Sequence, residues 1–274
     1  MIKKLSADCR LKEAQVRSYL EECFLPKNTS FHVCESVGST NDYVMSRMDE
    51  CGAGYLVCVA DHQTDGRGRN GRKWQSPAGS NIYMSTGFKF SGCNLSLLSG
   101  LSLACGVSIA RFIDTLGIHP QLKWPNDILV SGRKLAGILI ETRIKAGRVF
   151  VVVGLGLNVD MSDCEAQEID QPWTDLKSSA PHTSGGFDNN WLVSQLISAL
   201  TSACECYQQT GMELFLQDWS KYDVLQGREI WVHVDEQELL AKVIGINDDC
   251  SLSVEVDGQK KNIYAADVKI KLKK

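Results

Sequence analysis

The sequence lacks the features that would place the protein in a membrane or outside the cell. No apolar run in its 274 residues approaches the roughly twenty residues of a membrane-spanning helix. The N-terminal segment MIKKLSADCRLKEA has no hydrophobic stretch followed by a small-residue cleavage site. The composition, 43% apolar and 23% charged, is that of a globular chain. We therefore expect a cytoplasmic protein with no membrane partner.

The sequence also lacks a disulfide framework and a metal-ligand pattern. Its 11 cysteines are odd in number and irregularly spaced, and its five histidines lie far apart. In a reducing cytosol we expect the cysteines to remain thiols. Cys204 and Cys206 form a C-x-C pair, but the surrounding apolar helical pattern favours a packing role. The sequence therefore predicts no structural metal.

An excess of positive charge is absent as well. The formal net charge is -4, which argues against a general nucleic-acid binder. Residues 61–76, DHQTDGRGRNGRKWQS, nevertheless concentrate cations between glycines, and the basic residues are Arg67, Arg69, Arg72 and Lys73. Glycines let a loop wrap a ligand closely, and arginines donate to phosphate or carboxylate oxygens. The segment favours either a site for an anion attached to an apolar group or an exposed, RNA-contacting basic loop.

Hydrophobic periodicity predicts an α+β fold with a mixed or antiparallel sheet packed against helices. The predicted helices are 10–24, 43–48, 95–116, 190–207 and 212–219. The predicted strands of the larger part are 31–35, 55–60, 81–88, 121–124, 128–130, 134–143 and 149–153. The last four strands follow one another through tight turns, which predicts an antiparallel meander. Residues 160–187 are polar and rich in turn formers, and we predict a surface loop there.

The pattern changes after Gly227 to short strands separated by polar turns. We predict strands at 228–234, 239–246, 252–256 and 261–264, with a strong hairpin signal at Asp257-Gly258. These strands predict a small all-β barrel, and hence two domains, 1–224 and 225–274. A domain of about fifty residues is near the lower limit for independent folding, so we expect it to lean on the larger one.

Three further stretches place polar residues among apolar strands. In LKWPNDILV, Lys123, Asn126 and Asp127 need partners if they are buried, and they indicate a hairpin corner or a site for magnesium or ribose hydroxyls. In RKLAGILIE, Gly137 indicates close approach of a ligand or another backbone, whereas a strand-leading lysine alone is usually solvated. The stretch VVVGLGLNV lacks the glycine spacing of a dinucleotide-binding turn and does not open a helix. Its glycines, Gly154 and Gly156, indicate a backbone against which another group packs, with Asn158 as a polar contact.

The order of these motifs resembles the biotin protein ligase family. The motifs are STN at 39–41, QxxGRGRxGRxW at 63–74, KWPND at 123–127, KLAGILxE at 134–141 and GxGxN at 154–158. The resemblance covers residues 33–160. It implies a catalytic domain like that of class II aminoacyl-tRNA synthetases and a C-terminal SH3-like barrel. It also implies that biotin and MgATP give biotinyl-5'-AMP, whose biotinyl group passes to a lysine of a biotin carboxyl carrier domain.

The resemblance assigns roles to individual residues. The implied biotin-binding residues are Ser39, Thr40, Asn41, Gln63, Gly66, Arg67, Gly68, Arg69, Lys134 and Gly137. The implied nucleotide-binding residues are Arg69, Trp74, Asn126, Lys134 and Asn158. The implied catalytic residues are Lys134, Arg67, Arg69, Asp127 and Lys123, and Asp127 is also the candidate Mg²⁺ contact. The glycine- and arginine-rich loop would act as a lid over the adenylate, keeping water from a labile mixed anhydride.

The sequence differs from the family pattern in two respects, and two alternative functions are left open. About thirty residues precede the first predicted strand, too few for a winged helix-turn-helix, so we expect no DNA binding and no repressor function. The C-terminal stretch NIYAADVKI lacks an arginine that some relatives have. A homodimer is left open. The rivals are a lipoate or other acyl-carrier ligase with the same catalytic fold, and a non-enzymatic RNA-binding or regulatory module.

Overall fold

The protein is an α+β structure with two sheets and, in the described part of the chain, six α-helices. The computed structural model describes residues 10–49, 52, 54–79, 81–90, 98–161, 169, 171–180, 186–234, 237–265 and 269–272. The helices are α1 Glu13–Leu20, α2 Thr40–Ser46, α3 Leu101–Thr115, α4 Leu176–Ser179, α5 Asn189–Thr210 and α6 Leu216–Tyr222. Within those residues, every helix is too short or too polar to cross a bilayer.

The larger sheet has seven strands in the order β1-β2-β3-β7-β6-β5-β4. Its strands are β1 Ser30–Cys34, β2 Tyr55–Ala60, β3 Asn81–Phe90, β4 Gln121–Lys123, β5 Asp127–Val130, β6 Arg133–Lys145 and β7 Arg148–Asn158. Strands β1 and β2 are parallel, and every other neighbouring pair is antiparallel. The mixed sheet and the meander from β4 to β7 are therefore confirmed.

The two faces of this sheet differ at its centre, although the second face also carries a small apolar cluster that includes Val44, Phe150 and Val152. On one face, apolar residues such as Ile82, Met84 and Phe88 of β3 join a continuous core with α3 and α5. The opposite face carries Ser85 of β3 directly across from Gly154 of β7. Directly paired residues of antiparallel strands project to the same side of a sheet. The small residues thus leave room on this face, which α2 and residues 61–79 cover.

The second sheet is antiparallel, with five strands in the order β11-β10-β9-β8-β12. Its strands are β8 Glu229–Val234, β9 Gln237–Ile246, β10 Leu252–Val256, β11 Gln259–Ile263 and β12 Lys269–Leu272. It shares the buried core of the larger part. Trp124 donates through Nε1 to the carbonyl oxygen of Cys250 at 3.0 Å, which ties the small sheet to the end of β4.

Several predicted boundaries were wrong, and one strand was missed. Helix α3 begins at Leu101, while residues 95–97 of the predicted helix lie outside the described residues. Helix α6 occupies Leu216–Tyr222, later than predicted, and β12 was not foreseen. The predicted surface loop contains a buried segment, because Thr174 and Asp175 are each only 2% exposed and α4 follows them.

Candidate functional site

A row of glycines lies on the face of the larger sheet that α2 and residues 61–79 cover. These glycines leave space for side chains that larger residues at the same positions would exclude. A Cβ added to Gly154 would lie 2.4 Å from Oδ1 of Asn41, and one added to Gly156 would lie 2.4 Å from Cε2 of Trp74. Gly137 pairs with Gly156, and its Cβ would lie 3.0 Å from Cζ3 of Trp74. Glycine within a strand is thus used here for close approach. The contacts at Gly154 and Gly156 confirm that another group packs against this backbone, and at Gly137 the group that approaches is the Trp74 side chain, not another backbone.

One part of this face, which we call the neutral half, consists of buried hydroxyl and amide groups. Gln63 accepts at Oε1 from the backbone N–H of Thr40 at 2.9 Å and from its hydroxyl at 3.1 Å. The hydroxyl of Ser85 lies 2.7 Å from that of Thr40 and donates to Oδ1 of Asn41 at 2.6 Å. Gln63 donates to the Ser76 hydroxyl at 3.2 Å. The neutral half comprises Ser39, Thr40, Asn41, Gln63, Ser76 and Ser85.

Residues 63–74, the basic loop, adopt a hydrogen-bonded conformation. The backbone N–H of Thr64 donates to the carbonyl of Val37, next to the start of α2. The loop folds back on itself, with Gly68 N–H donating to the carbonyl of Arg72 at 2.7 Å. Of its three glycines, Gly71 alone has a positive φ, of 69°. The conformational freedom of glycine is therefore required only at the tip of the loop.

The two leading arginines of the basic loop face protein groups. Arg67 forms a bidentate pair with Asp42, with both N–O distances 2.6 Å, and lies 3.5 Å from a carboxylate oxygen of Glu141. Arg69 donates to Oδ1 of Asn126 at 3.2 Å and to the carbonyl of Ala265. Only the later cations, Arg72 and Lys73, are exposed. The interpretation as a solvated basic loop therefore does not describe Arg67 and Arg69.

Trp74 connects the neutral half to the charged residues. Its backbone N–H donates to the carbonyl of Gly66 at 2.8 Å, and its own carbonyl accepts from the Ser76 hydroxyl at 3.1 Å. Its ring covers Gly156, and the Lys134 ammonium lies 5.2 Å from the ring centroid. The indole N–H is buried without a hydrogen-bond partner among the described residues. Gly66 permits this arrangement, since a Cβ there would lie 2.7 Å from Ser76 Oγ.

A second part of the face, which we call the charged half, is built around an ion pair. Lys134 Nζ lies 2.6 Å from Oδ1 of Asp127, and the two side chains are only 14% and 17% exposed. Asn126 donates through Nδ2 to the carbonyl of Ile138 at 2.7 Å, which holds its Oδ1 toward Arg69. The charged half comprises Arg69, Lys123, Asn126, Asp127 and Lys134.

A β-bulge aims Lys134 into the site. Asp127 pairs with Gly137 and Ile128 with Ala136, but Leu129 pairs with Lys134, so one residue of β6 is extra. In a regular strand, residues 134 and 137 would project to opposite faces. The extra residue reverses this, and Lys134 Nζ lies 3.2 Å from the Cβ position of Gly137. Bulges commonly redirect a side chain beside an active site.

The backbone at Lys134 is fixed by the buried segment 171–176. Lys134 N–H donates to the carbonyl of Pro172 at 2.9 Å, and its carbonyl accepts from Thr174 N–H at 2.8 Å. Asn158 donates through Nδ2 to the carbonyl of Thr174 at 2.9 Å. The Asn158 amide thus supports the segment that holds Lys134, and its assignment to the nucleotide stays a prediction.

Burial changes the proton affinity of two cations in the charged half. Burial lowers the pKa of Lys123, and the carboxylate of Asp127, its partner across the β4–β5 hairpin, opposes the change. Burial also lowers the pKa of Arg69, again opposed by Asp127. One carboxylate thus partly compensates several desolvated cations. This excess of positive charge suits a polyanionic ligand.

The charged half contains one carboxylate suited to a metal. Throughout the described ranges, no cluster of three or more His, Cys, Asp or Glu residues is placed to hold a metal ion. The seven cysteines in those ranges are free thiols. Mg²⁺ is commonly bound by one or two carboxylates together with substrate phosphates. Asp127, beside the cations of the charged half, fits that mode.

Comparison with known proteins identifies the family. Residues 33–158 match the sequence model of the biotin/lipoate A/B protein ligase family. The chain is 35% identical over 231 residues to the bifunctional ligase/repressor BirA of Escherichia coli, covering 84% of this chain and 70% of that protein. It is 32% identical over 243 residues to the biotin–[acetyl-CoA-carboxylase] ligase of Mycobacterium tuberculosis, covering 86% of this chain and 87% of that protein.

Solved structures share the fold. The biotin protein ligase from Aquifex aeolicus, in complex with biotin and ATP, superposes with a TM-score of 0.73 at 24% identity, covering 90% of this chain and all of that one. The fold and the sequence comparisons define the chain as a ligase. It belongs to the biotin/lipoate A/B protein ligase family.

The structure brings the predicted site residues together on one sheet face in two groups joined by Trp74. Sequence reasoning missed four neighbours of these residues, namely Asp42, Ser76, Ser85 and Glu141. Glu141 ends the quoted KLAGILxE motif, so its presence there was a signal. Ser85 gave none, because a serine within an apolar strand is ordinary until its partners are known.

Proposed function

We propose that the protein is a biotin protein ligase. It activates biotin with MgATP to biotinyl-5'-AMP, releasing pyrophosphate. It then transfers the biotinyl group to a lysine in the biotin carboxyl carrier domain of a carboxylase, releasing AMP. The proposal rests on the family and on its relatives, including a biotin–[acetyl-CoA-carboxylase] ligase.

One structural observation carries the proposal. A neutral hydrogen-bonding pocket and a cluster of cations lie on the same glycine-lined face and meet at Trp74. A ligand with an uncharged polar head and an acidic tail would match both halves. Biotin has a polar ureido ring, an apolar chain and a carboxylate. Pockets of this type combine an apolar lining with few, well-placed polar groups.

The first chemical step follows from charge. When the biotin carboxylate attacks the α-phosphate of ATP, two anions approach each other, and preorganised cations lower that barrier. Lys134 is the cation we assign to the reacting oxygens, since the bulge aims it over Gly137 and Asp127 holds it in place. Arg69, buried beside Asn126, is assigned to the phosphate. The indole of Trp74 is assigned to the adenine side.

Magnesium would be held mainly by the nucleotide, with Asp127 as the protein ligand. The ion would neutralise charge on the leaving pyrophosphate. Asp127 already pairs with Lys134, so the chain itself places one cation, the Lys134 ammonium, beside this carboxylate. Lys123 adds a further positive charge on the same hairpin.

In the second step the acceptor lysine must lose a proton before its amine attacks the anhydride carbonyl. Asp127 is the carboxylate of the charged half, and we assign it to accept or orient that proton. No covalent enzyme intermediate is required, so no cysteine is assigned a catalytic role.

The basic loop would retain the adenylate. Gly66, Gly68 and Gly71 let the loop lie close to the ligand. Arg67 anchors one end of the loop on Asp42, and Arg69 reaches toward the charged half. A closed loop would exclude water from the mixed anhydride. We therefore expect Arg69→Ala to release biotinyl-adenylate faster than the wild type, and an unchanged release rate would contradict the retention role.

The finer architecture belongs to the same proposal. We propose a class II aminoacyl-tRNA-synthetase-like catalytic domain over residues 1–224 and an SH3-like barrel over residues 225–274, which would help dock the acceptor. We also propose a cytoplasmic location, and a homodimer is compatible with the proposal. The proposal concerns ligation only and includes no DNA partner.

ATP–pyrophosphate exchange tests the activity and separates the two acids named in the family description. We expect exchange with biotin, MgATP and labelled pyrophosphate, and little or none when lipoate replaces biotin. Exchange driven by lipoate would favour the lipoate-ligase rival. Exchange with neither acid would contradict the proposed function.

A further inference from the structure

Glu141 lies where the neutral half meets the basic loop. It projects from β6, and its side chain is 36% exposed. One carboxylate oxygen accepts from Nδ2 of Asn41 at 2.6 Å. The other lies 3.5 Å from Nη2 of Arg67. Each oxygen therefore serves a different part of the proposed biotin site.

The carboxylate of Glu141 fixes which way the Asn41 amide points. An amide presents donors on one side and an acceptor on the other, and a rotation of about 180° exchanges them. An ionised carboxylate only accepts, so the Nδ2 side must face Glu141. Oδ1 must then face Ser85, where it accepts the Ser85 hydroxyl hydrogen at 2.6 Å.

This orientation sets the polarity of the next hydroxyl groups. A serine hydroxyl has one hydrogen, and that of Ser85 is committed to Asn41. Toward Thr40, 2.7 Å away, Ser85 can then only accept, so the single hydroxyl hydrogen of Thr40 is shared between Ser85 and Oε1 of Gln63, 3.1 Å away. A rotated Asn41 amide would reverse these roles and face Ser85 with a donor. Ser85 is fully buried and Asn41 is 4% exposed, so the polarity of this pair is set by Glu141 and not by water, and a rotated amide would turn its oxygen toward the Glu141 carboxylate.

We infer that Glu141 is a positioning residue for the biotin head group. It acts through Asn41 by holding the donor and acceptor pattern that a ureido ring would require, and it anchors Arg67 beside that pocket. The inference rests on the proposed function, because it concerns the affinity of the same site for biotin. Glu141 itself contacts no reacting atom.

The test measures the biotin KM and the kcat of ATP–pyrophosphate exchange for Glu141→Ala and Glu141→Gln. Loss of an orienting partner typically costs 10- to 100-fold in binding, as seen with residues that orient metal ligands. We expect Glu141→Ala to raise the biotin KM by about 10- to 100-fold, with kcat changed less than about three-fold. Glu141→Gln keeps an oxygen that can accept from Asn41, so its KM should stay within about five-fold of the wild type.

A matched control is Glu255→Ala, which removes an exposed strand glutamate from the C-terminal sheet. It should leave both constants unchanged. A wild-type KM in Glu141→Ala would overturn the inference. A variant that shows only a lower Tm and a smaller folded fraction, with an unchanged biotin KM, would overturn it as well. Equal damage from alanine and glutamine would also overturn it. Absence of biotin-dependent exchange in the wild type would instead contradict the proposed function, and the inference would fall with it.

Discussion

The neutral and charged halves of the site satisfy their polar groups in different ways. In the neutral half, hydrogen bonds join the uncharged side chains of Thr40, Asn41, Gln63, Ser76 and Ser85, and Asn41 also reaches Glu141. In the charged half, one carboxylate, Asp127, is shared among cations that burial has partly desolvated. The neutral half is therefore complete within the chain, whereas the charged half is arranged to accept more negative charge.

Under the proposed function, this difference predicts that the neutral half binds biotin and that the charged half supports the reaction. A paired, buried network discriminates by geometry, because a ligand lacking a matching donor or acceptor leaves a buried group unpaired. A surplus of cations stabilises charge that develops during the reaction. Substitutions in the charged half should therefore lower kcat, and those in the neutral half should raise the biotin KM.

The largest effect is expected from Lys134→Ala. Removing a preorganised cation from reacting oxygens should lower the kcat of pyrophosphate exchange by about 10²- to 10³-fold. The control is Lys221→Ala, which breaks an exposed ion pair with Asp114 and should leave exchange unchanged. Near-normal exchange by folded Lys134→Ala, as judged by circular dichroism, would remove Lys134 from the chemical step.

A smaller loss of kcat/KM is expected when the ring of Trp74, which joins the two halves, is displaced. A Cβ at residue 156 would lie 2.4 Å from the indole of Trp74, so Gly156→Ala must displace the ring that joins them. Overpacking of this kind costs about 1–3 kcal/mol in the free energy of unfolding. Because misplacing catalytic groups by about 1 Å can cost about 10²-fold, we expect kcat/KM to fall roughly 30-fold.

The control for Gly156→Ala is Gly106→Ala in α3, where the new Cβ would make an ordinary contact 3.5 Å from Leu122. That variant should keep full activity and gain up to about 1 kcal/mol in the free energy of unfolding. If both glycine variants behave alike in steady-state kinetics, Trp74 does not connect the halves.

The neutral half can be tested through its most buried hydroxyl. Ser85→Ala leaves Oδ1 of Asn41 without its donor and should raise the biotin KM about ten-fold. The control is Ser253→Ala in β10, since the buried Ser253 hydroxyl has no partner among the described residues. That variant should match the wild type. An increase in KM that is no larger for Ser85→Ala than for Ser253→Ala would contradict the pocket assignment.

The smallest effect is expected from Asp42→Asn, because the Asp42 carboxylate is largely exposed. Exposed ion pairs contribute up to about 1 kcal/mol, so the release rate of biotinyl-adenylate should rise less than about five-fold. The hydrogen bonds from Arg67 lower the pKa of Asp42. The pair should thus hold as pH falls through the usual range of an aspartate and weaken only below it. A release rate that follows an ordinary aspartate titration would contradict this.

Much of the fold and the composition of the site could be predicted from the sequence. The glycines at 137, 154 and 156 indicated that other groups pack closely against these strands. The turn residues between apolar runs predicted the meander. The resemblance of the ordered motifs to the biotin protein ligase family indicated biotin as the ligand. These signals are local, and local patterns survive without knowledge of tertiary contacts.

The direction in which individual side chains point could not be predicted from the sequence. The bulge that turns Lys134 into the site depends on pairing between β5 and β6, and a register shift leaves no mark in the sequence of either strand. The segment 171–176 lies within the turn-rich range 160–187 that we predicted to be a surface loop, yet its backbone pairs with Lys134. Arg67 looked equivalent to Arg69, but Asp42 and Glu141 draw it away.

The central claim is that one sheet face both binds biotin and activates it for transfer. It is tested most directly by incubating the protein with biotin, MgATP and a biotin carboxyl carrier domain, then measuring the intact mass of the carrier. We predict that the carrier gains one biotinyl group on a single lysine and that omitting ATP abolishes the gain. An unchanged carrier mass with active carrier and ATP present would contradict the claim.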